Sequence, residues 1–444
     1  MTGDRDGPRR GEAHPAARDS LWSNAGSPQA RVDRRFLLLS SLFLLESSFR
    51  GVVPGAVGGP AFGLAALLVV LTALRTLDLR RVRIEAPAAF WLVLGAYALA
   101  GRTSESVDFF PAAALFISTI LVVVASQSAS WCAGMLVALV TYGLVHALAT
   151  LLLYVAPATE AFLVWNPGEA RLTSEQPYRF GITMNPGVNA VYIAVGLIVL
   201  GVVFMFARHV RRSWVQWLFL GMLFLSLLLT AKRAHLVFAL LAVFVTFTLV
   251  QRRGRWTRAA LLVLGGWALL SVLSTVSEGV AVSLSRLTGT FEADSLEDAT
   301  NGRIALWNHA LAGWRDAPFF GHGWGSYAYT SPSGTTFVIA HNQLLNLLYE
   351  GGIAGVVLFV VAAVASLAAA LKGLRSRGSA RVFASVSVAL QVFFLAYSMT
   401  TGELLSKSYT FVPYLVAVAM GIAADRQRKS QSALAPMGEG RATA

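Results

Sequence analysis

Basic residues from separate parts of the sequence are the side chains best suited to chemistry. Lys232 and Arg233 occupy a short turn between two apolar runs, and Arg179 lies shortly before Asn185 at the start of another run. Arg303 stands at the start of a helical pattern further along the chain. The planar guanidinium group binds phosphate oxygens in bidentate fashion. These cations therefore predict a site that binds a phosphate or diphosphate group.

A histidine and a polar stripe follow at the start of a later apolar run. Asn342, Asn346 and Glu350 recur at intervals of four residues, so they lie on one face of a helix that begins just after His341. Histidine is the side chain whose ordinary pKa suits proton transfer near neutral pH. We expect His341 to act as a general base and the polar stripe to support it. An arginine clamp would stabilise the charge that develops on a diphosphate leaving group.

Apolar helices must position these residues. The chain has 444 residues, of which 56% are hydrophobic and 13% charged, whereas soluble domains usually carry about 25% charged residues. In lipid, a run long enough to cross the hydrocarbon core must be a helix, because its backbone has no water to bond to. We therefore predict an all-α, polytopic transmembrane bundle of about 12 spans, at 36–54, 57–77, 84–101, 108–127, 131–155, 187–207, 213–231, 234–250, 257–275, 345–371, 380–400 and 407–424. The tenth run also allows a short helix followed by a span that starts near Gly352.

The distribution of basic residues predicts the orientation of the bundle. Most of the 36 Lys and Arg residues fall in segments that face the cytoplasm if the N-terminus lies inside, as the positive-inside rule requires. Residues 1–30 are polar and poor in large apolar side chains, so we expect a disordered cytoplasmic tail. Residues 31–275 then hold spans 1–9, residues 345–424 hold spans 10–12, and residues 425–444 form a second cytoplasmic tail.

Two long segments are expected on the outer side. Residues 276–344 form a large extracytoplasmic loop between spans 9 and 10, and loops of that length are usually functional. An amphipathic helix is predicted inside it, because one helix face carries Ile304, Trp307, Leu311 and Trp314. Tryptophans on such a face suit the membrane interface. In the other outside segment, 156–186, we expect Arg171 to be an ordinary surface charge.

Composition argues against several other classes. The net charge of +13 comes from basic residues at the ends of apolar runs, which indicates topology and contact with anionic headgroups rather than nucleic acid. Cys132 is the single cysteine, so no intramolecular disulfide is expected, and the sequence has no Cys/His cluster that would indicate a metal site. No phosphate-binding loop or dinucleotide fingerprint is apparent, so no cofactor is expected.

Several motifs together resemble the O-antigen ligase and O-antigen polymerase superfamily of bacterial membrane proteins. The likeness covers about residues 36–424. The segments that carry it are the Thr230–His235 turn, Asn301-Gly302-Arg303 with Trp307 and then Pro318 to Gly325, His341-Asn342 followed by Gly352 and Gly355, and the stretch from Arg179 to Pro186. The chain departs from the pattern at Lys232, where family members more often have a small hydroxylated residue.

The resemblance implies a metal-independent, inverting glycosyl transfer at the outer face of the cytoplasmic membrane. A glycan would move from undecaprenyl diphosphate to a hydroxyl of a glycolipid or glycan acceptor, with membrane lipids as the surroundings. His341 would match the essential histidine of the family, a proposed general base. Arg179, Arg233 and Arg303 would match arginines that bind the diphosphate.

Three functions remain open. A ligase joins the glycan to a different acceptor, such as a lipid A core, whereas a polymerase uses another lipid-linked repeat unit. The His-Asn to Gly-x-x-Gly spacing is typical of ligases and favours the first. A transporter or flippase for lipid-linked glycans is the third, and it predicts broken helices and polar residues near the bilayer midplane. The conspicuous polar residues here are instead expected at the outer surface.

Overall fold

Helices dominate the part of the chain that the structure, a computed structural model, describes. The described residues are 83–101, 109–164, 169–174, 176–206, 214–250 and 302–434, with a few isolated positions elsewhere. The helices within them are α1 (Ala86–Ala100), α2 (Phe109–Ala125), α3 (Ala129–Val155), α4 (Glu160–Leu163), α5 (Glu169–Leu172), α6 (Pro186–Phe206), α7 (Trp214–Leu229), α8 (Arg233–Val250), α9 (Arg303–Asp316), α10 (Gln343–Gly373), α11 (Ser379–Thr401) and α12 (Ser408–Leu434). Short 3-10 helices cover Pro157–Thr159 and Pro177–Phe180.

Six of the described helices are long and apolar enough to cross a membrane, namely α3, α6, α8, α10, α11 and α12. Helices α1, α2 and α7 are apolar but shorter. All nine coincide with predicted spans, and the chain is a multi-pass membrane protein. The remaining predicted spans, 36–54, 57–77 and 257–275, lie outside the described residues, as does the predicted tail at 1–30.

Small residues allow the central helices to approach closely. Helix α6 lies against α3, α8 and α11, while α12 packs on α10 and α11. At the crossing of α3 and α6, a Cβ on Gly143 would lie 2.6 Å from the Cα of Gly196. In the bundle interior the Trp91 indole donates a hydrogen bond to the Ser366 hydroxyl at 2.8 Å. Close packing and buried hydrogen bonds of this kind hold helices together in lipid.

Helix α10 is broken at Gly352, as the tenth apolar run allowed. Gly352 has φ 58° and ψ −162°, a conformation that is essentially restricted to glycine. The loop after α9 fills the break, because the carbonyls of Pro318 and Phe319 accept hydrogen bonds from the amides of Ile353 and Ala354 at 2.9 and 3.1 Å. The second half of α10 therefore has its first amides satisfied by the loop rather than by its own turn.

The first half of α10 is closed by the same loop. The amides of His322 and Gly323 donate to the carbonyls of Tyr349 and Glu350, both at 2.9 Å. Carbonyls at a helix end lack partners within the helix, and here the loop supplies them. The half-helix, the loop and the second half of α10 thus form one hydrogen-bonded unit.

The predicted amphipathic helix is present as α9, but the face that packs inward is adjacent to the predicted one. Leu306 and Ala310 are its buried residues, and Gly313 lies against the ring of Tyr349. The predicted apolar face is only half buried. Helix α10 therefore contacts a narrow, small-residue strip of α9, and the tryptophan-bearing face lies beside it.

Two further features differ from the sequence-based expectation. Within residues 302–344 a short antiparallel hairpin, β1 (Tyr329–Thr330) and β2 (Thr336–Phe337), interrupts the all-helical pattern. At the other end of the chain, α12 continues ten residues beyond the predicted span. Lys429 bridges Asp425 and Glu85 at 3.1 and 3.0 Å, and these ion pairs hold the polar extension against the start of α1.

Arg171 is buried, so its prediction as a surface charge was wrong. Its side chain is about 2% exposed and forms an ion pair with Glu160. It also donates to the carbonyls of Gly181 and Thr183 at 2.8 and 3.2 Å, and lies over the ring of Phe180. Arg171 satisfies the backbone of the turn that leads into α6, a role that depends on partners ten or more residues away.

Candidate functional site

A cavity of about 670 Å³ lies where α6, α8, α9 and α10 begin and where α7 and α11 end. Helices that alternate in direction bring these ends together at one end of the bundle. The residues that line the cavity are Asn185, Gly187, Ala231, Lys232, Arg233, Ala234, His235, Arg303, His341, Tyr397, Thr400, Thr401 and Glu403.

The C-terminal end of α11 anchors two of the predicted site residues. Arg303 donates to the carbonyl of Thr400 at 2.5 Å, and the side-chain amide of Asn342 donates to the carbonyl of Met399 at 3.2 Å. These carbonyls belong to the last turn of the helix, where no intrahelical donor remains. The negative end of the helix dipole also favours a cation at this position. The last turn of α11 therefore binds the first residue of α9 and the N-cap residue of α10.

His341 has a constrained backbone as well as a cavity-lining side chain. Its φ is +52°, and the only other non-glycine residue with positive φ in the described part of the chain is Ala231, at +53°. Both line the cavity. Gly402 packs so tightly here that an added Cβ would lie 2.9 and 3.1 Å from the amide nitrogens of Asn342 and His341. Residues held in this backbone region cluster at functional sites.

The surroundings of His341 favour the neutral imidazole. Burial lowers its pKa to about 4, and the charges of Arg303 and Lys232 act in the same direction. A hydrogen bond with the backbone of Thr401 opposes this shift without cancelling it. At neutral pH the ring is therefore unprotonated and able to accept a proton.

Among the described residues, three cations share the cavity with this ring. Lys232 and Arg233 come from the turn between α7 and α8, and Arg303 comes from the first turn of α9. Burial lowers the pKa of Arg303, as does the nearby charge of Arg233, whereas Tyr397 and Glu403 raise it. The guanidinium group still keeps its proton, since its ordinary pKa is about 12.5 or higher. This wall can bind an anion with several oxygens.

Of the other predicted site residues, some line the cavity and some support the segment that carries His341. Asn185 lines the cavity, while Asn342 and Asn346 do not. Asn342 caps α10, because its side-chain oxygen accepts from the amides of two residues in the first turn at 3.0 and 3.2 Å. Asn346 accepts from the amide of Ala340 at 3.0 Å. Glu350 is buried in the half-helix, so these residues shape the segment that presents the histidine.

Arg179 does not line the cavity. It lies in the 3-10 helix before α6, and its carbonyl accepts from the side-chain amide of Asn189 at 3.0 Å. Asn189 also bonds to His146 and Thr150 of α3. The arrangement ties the segment before α6 to the bundle, and the diphosphate-binding role of Arg179 stays a prediction.

Several lining residues escaped the analysis of the sequence. His235 lies in the Thr230–His235 turn, although it was not predicted as a site residue. Tyr397, Thr400 and Thr401 lie in the last turns of α11, and Glu403 lies just beyond that helix. A carboxylate in the short segment between the last two apolar runs was the available signal. The Tyr397 hydroxyl donates to Glu403 at 3.2 Å, and its ring centre lies 4.6 Å from that of His235.

The fold and the cavity define a multi-pass helical membrane protein with a cationic site at one end of its bundle. Residues 218–360 match a family model described as O-antigen ligase (Wzy_C), so this part of the chain is similar to an O-antigen ligase domain. The matched segment runs from α7 into α10 and contains Lys232, Arg233, Arg303 and His341. The end of α11, which completes the cavity, lies beyond it. No curated protein matches the chain.

The family implies a glycosyltransferase-type activity of the O-antigen ligase or polymerase kind. It also implies lipid-linked glycans as substrates. The cavity offers the two chemical functions that such a transfer needs, a proton acceptor and a set of cations for a charged leaving group.

Proposed function

We propose that this protein is an O-antigen ligase-like glycosyltransferase of the cytoplasmic membrane. It moves a glycan from undecaprenyl diphosphate to an acceptor hydroxyl at the outer face, with inversion at the anomeric carbon and without a metal. The observation that carries this proposal is the shared cavity of His341, Lys232, Arg233 and Arg303, in which a neutral imidazole lies among three cations.

The cations and His341 have different roles in the proposed transfer. The three cations bind the oxygens of the donor diphosphate, and the acceptor hydroxyl approaches the anomeric carbon from the opposite face. His341 takes the hydroxyl proton as the new carbon–oxygen bond forms. The bond from the anomeric carbon to the phosphate oxygen breaks, and its electron pair leaves with undecaprenyl diphosphate. The cations stabilise the charge that this oxygen gains.

The acceptor separates a ligase from a polymerase. Both transfers use the same donor and the same leaving group, so the cavity chemistry serves either one. The description of the matched family favours the ligase. A polymerase would use a second lipid-linked repeat unit in place of a different glycolipid.

The break in α10 is the feature that a transporter would also show. In this chain the break at Gly352 is filled by the loop that includes Pro318 and Phe319. The polar cavity lies at the end of the bundle, where several helices begin or end. Neither feature provides a polar binding site midway along the bundle, so the transfer reaction is favoured.

Basic side chains at the opposite end of the bundle support an outward-facing cavity. They lie where α10 and α12 end and where α11 begins, at Lys372, Arg375, Arg377, Arg381, Arg426, Arg428 and Lys429. Because basic residues concentrate on the cytoplasmic side, the cavity end is proposed to face outward.

The test is a transfer assay with purified protein, an undecaprenyl-diphosphate-linked oligosaccharide and a lipid A-core acceptor. His341→Ala should lower the transfer rate by about a hundredfold or more, and Arg233→Ala by about tenfold or more, since a charge-assisted hydrogen bond is lost. Arg315→Ala is the matched control, because this exposed residue at the far end of α9 does not line the cavity. It should leave the rate unchanged.

Each outcome of this assay has a defined meaning. If the His341→Ala variant transfers glycan at the wild-type rate, His341 is not the general base. Transfer to a second lipid-linked glycan, but not to lipid A core, would identify a polymerase. If folded wild-type protein transfers glycan to neither acceptor, the proposed function is wrong.

A further inference from the structure

Glu403 introduces a carboxylate into an otherwise cationic cavity. It lies in the segment between α11 and α12, outside the region that matches the ligase family. Among the described residues that line the cavity, it is the only acidic one. A carboxylate beside a diphosphate site repels that ligand, so its presence calls for a separate explanation.

The carboxylate of Glu403 is oriented by hydrogen bonds within the chain. Its Oε2 accepts hydrogen bonds from the hydroxyls of Tyr397 and Tyr409 at 3.2 and 2.6 Å. Its backbone carbonyl accepts from the hydroxyl of Thr410 at 2.7 Å and from the amide of Lys407 at 3.1 Å. Two phenols and a tight turn therefore determine the orientation of the side chain.

The other carboxylate oxygen remains available. In the described part of the chain, Oε1 of Glu403 has no hydrogen-bond partner, and no salt bridge joins Glu403 to a basic residue. Arg303, whose charge lies nearby, is bound instead by the carbonyl of Thr400. Glu403 thus raises the pKa of Arg303 through its charge but forms no salt bridge with a described basic residue of the cavity.

Nearby hydroxyls on the same wall already use their protons. Thr400 and Thr401 both donate to the carbonyl of Tyr397, at 2.9 and 3.1 Å. Oε1 of Glu403 is consequently the strongest acceptor on this wall. An ionised carboxylate accepts hydrogen bonds only, so its ligand must be a donor, and a sugar hydroxyl is the donor that a glycan supplies.

We propose that Glu403 binds a hydroxyl of the acceptor carbohydrate and holds its nucleophilic end beside His341. The inference rests on the proposed function and names the acceptor side of the same cavity. The acceptor is favoured over the donor sugar because an inverting displacement brings it in from the face opposite the leaving group. A carboxylate repels a diphosphate, which favours the uncharged acceptor sugar as the ligand of Glu403.

The experiment separates the Michaelis constants of the two substrates in the transfer assay. Glu403→Gln keeps the size of the side chain but removes its charge, and should raise the KM for a lipid A-core acceptor about tenfold or more. The KM for the undecaprenyl-diphosphate-linked donor should stay within about twofold, because no donor contact is lost. Lys407→Gln is the matched control, since it removes a charge from the same segment without lining the cavity.

Tyr409→Phe provides a second variant that leaves the carboxylate charged. Loss of the 2.6 Å hydrogen bond should produce a smaller rise in the acceptor KM and no change for the donor. Both variants are compared with wild type by thermal unfolding, so that loss of fold is recognised.

A change in the donor KM equal to or larger than that for the acceptor would assign Glu403 to the cationic clamp and overturn the inference. Unchanged constants for both substrates would overturn it as well. Binding of the lipid A-core probe is also measured without donor, on protein with His341→Ala. If Glu403→Gln weakens that binding, the proposed acceptor site is supported even if the wild-type protein transfers no glycan. Equal binding overturns it.

Discussion

At the scale of single residues, the neighbours of His341 favour its neutral imidazole, as the proposed general base requires. Its ring is half buried beside two cations, which lowers its pKa to about 4. Its backbone is held with φ +52° against Gly402. A ring that protonated at the ordinary value near 6.5 would be partly charged at mildly acidic pH, and the proton acceptor would be lost.

The pH dependence of transfer should follow from this lowered pKa. The proposed mechanism requires the unprotonated ring, so kcat/KM should stay high as the pH falls through 6.5 and decline only near 4. Lys232→Gln removes one of the two repelling charges and should move this acidic limb upward. The measurement is the pH profile of kcat/KM for both proteins. An acidic limb near 6.5 in wild type would contradict the lowered pKa.

At the scale of elements, the break in α10 falls at the first glycine of the motif formed by His341-Asn342 with Gly352 and Gly355. Gly352 needs a conformation that other residues avoid, and an added Cβ would lie 2.4 to 2.6 Å from the backbone of Phe319 and Phe320. Gly355 has an ordinary helical environment, where a Cβ would lie 3.5 Å from the ring of Tyr97. The two glycines of the motif therefore differ in their structural role, since only Gly352 has a backbone conformation that other residues avoid.

Gly352→Ala should destabilise the protein and expel the loop from the break. The backbone conformation alone costs about 1–3 kcal/mol, and the clash with Phe319 adds to it. Thermal unfolding should fall to lower temperature, and amide exchange at Ile353 and Ala354 should accelerate as their loop partners are lost. Gly355→Ala is the matched control and should change neither measurement by a comparable amount. Equal effects of both substitutions would argue against the break.

The last turn of α11 is the element that completes the site. Its free carbonyls bind Arg303 and Asn342, and the segment beyond it supplies Glu403. Hydropathy marks α11 only as another apolar span, because its polar contacts are made by main-chain carbonyls. A sequence motif cannot display such a role, since any residue type carries the same carbonyl.

At the scale of the whole molecule, the orientation of the bundle is open to a direct test. In protein with Cys132→Ala, Ser333→Cys lies exposed in the hairpin loop near the cavity end, and Ser432→Cys lies exposed near the end of α12. A membrane-impermeant maleimide should label Ser333→Cys in intact spheroplasts and Ser432→Cys only after the membrane is permeabilised. Cys132 is buried, so its replacement removes background labelling. The reverse pattern would place the cavity on the cytoplasmic side.

The sequence by itself determined the helical membrane architecture and indicated several residues of the candidate site. Spanning helices were predictable because hydropathy and the need to satisfy the backbone in lipid are properties of a local run. Lys232, Arg233, Arg303 and His341 were recognisable because cations and a histidine were expected on the outer side of the bundle, where they suit phosphate and proton chemistry.

Only the tertiary structure decided which side chains share the cavity. It buried Arg171, left Arg179 off the cavity wall, and brought Glu403 to the cavity that His341 lines. It also filled the break at Gly352 with a loop that begins some thirty residues earlier. Burial and hydrogen bonding depend on neighbours supplied by distant segments, and a local pattern of residues does not contain that information.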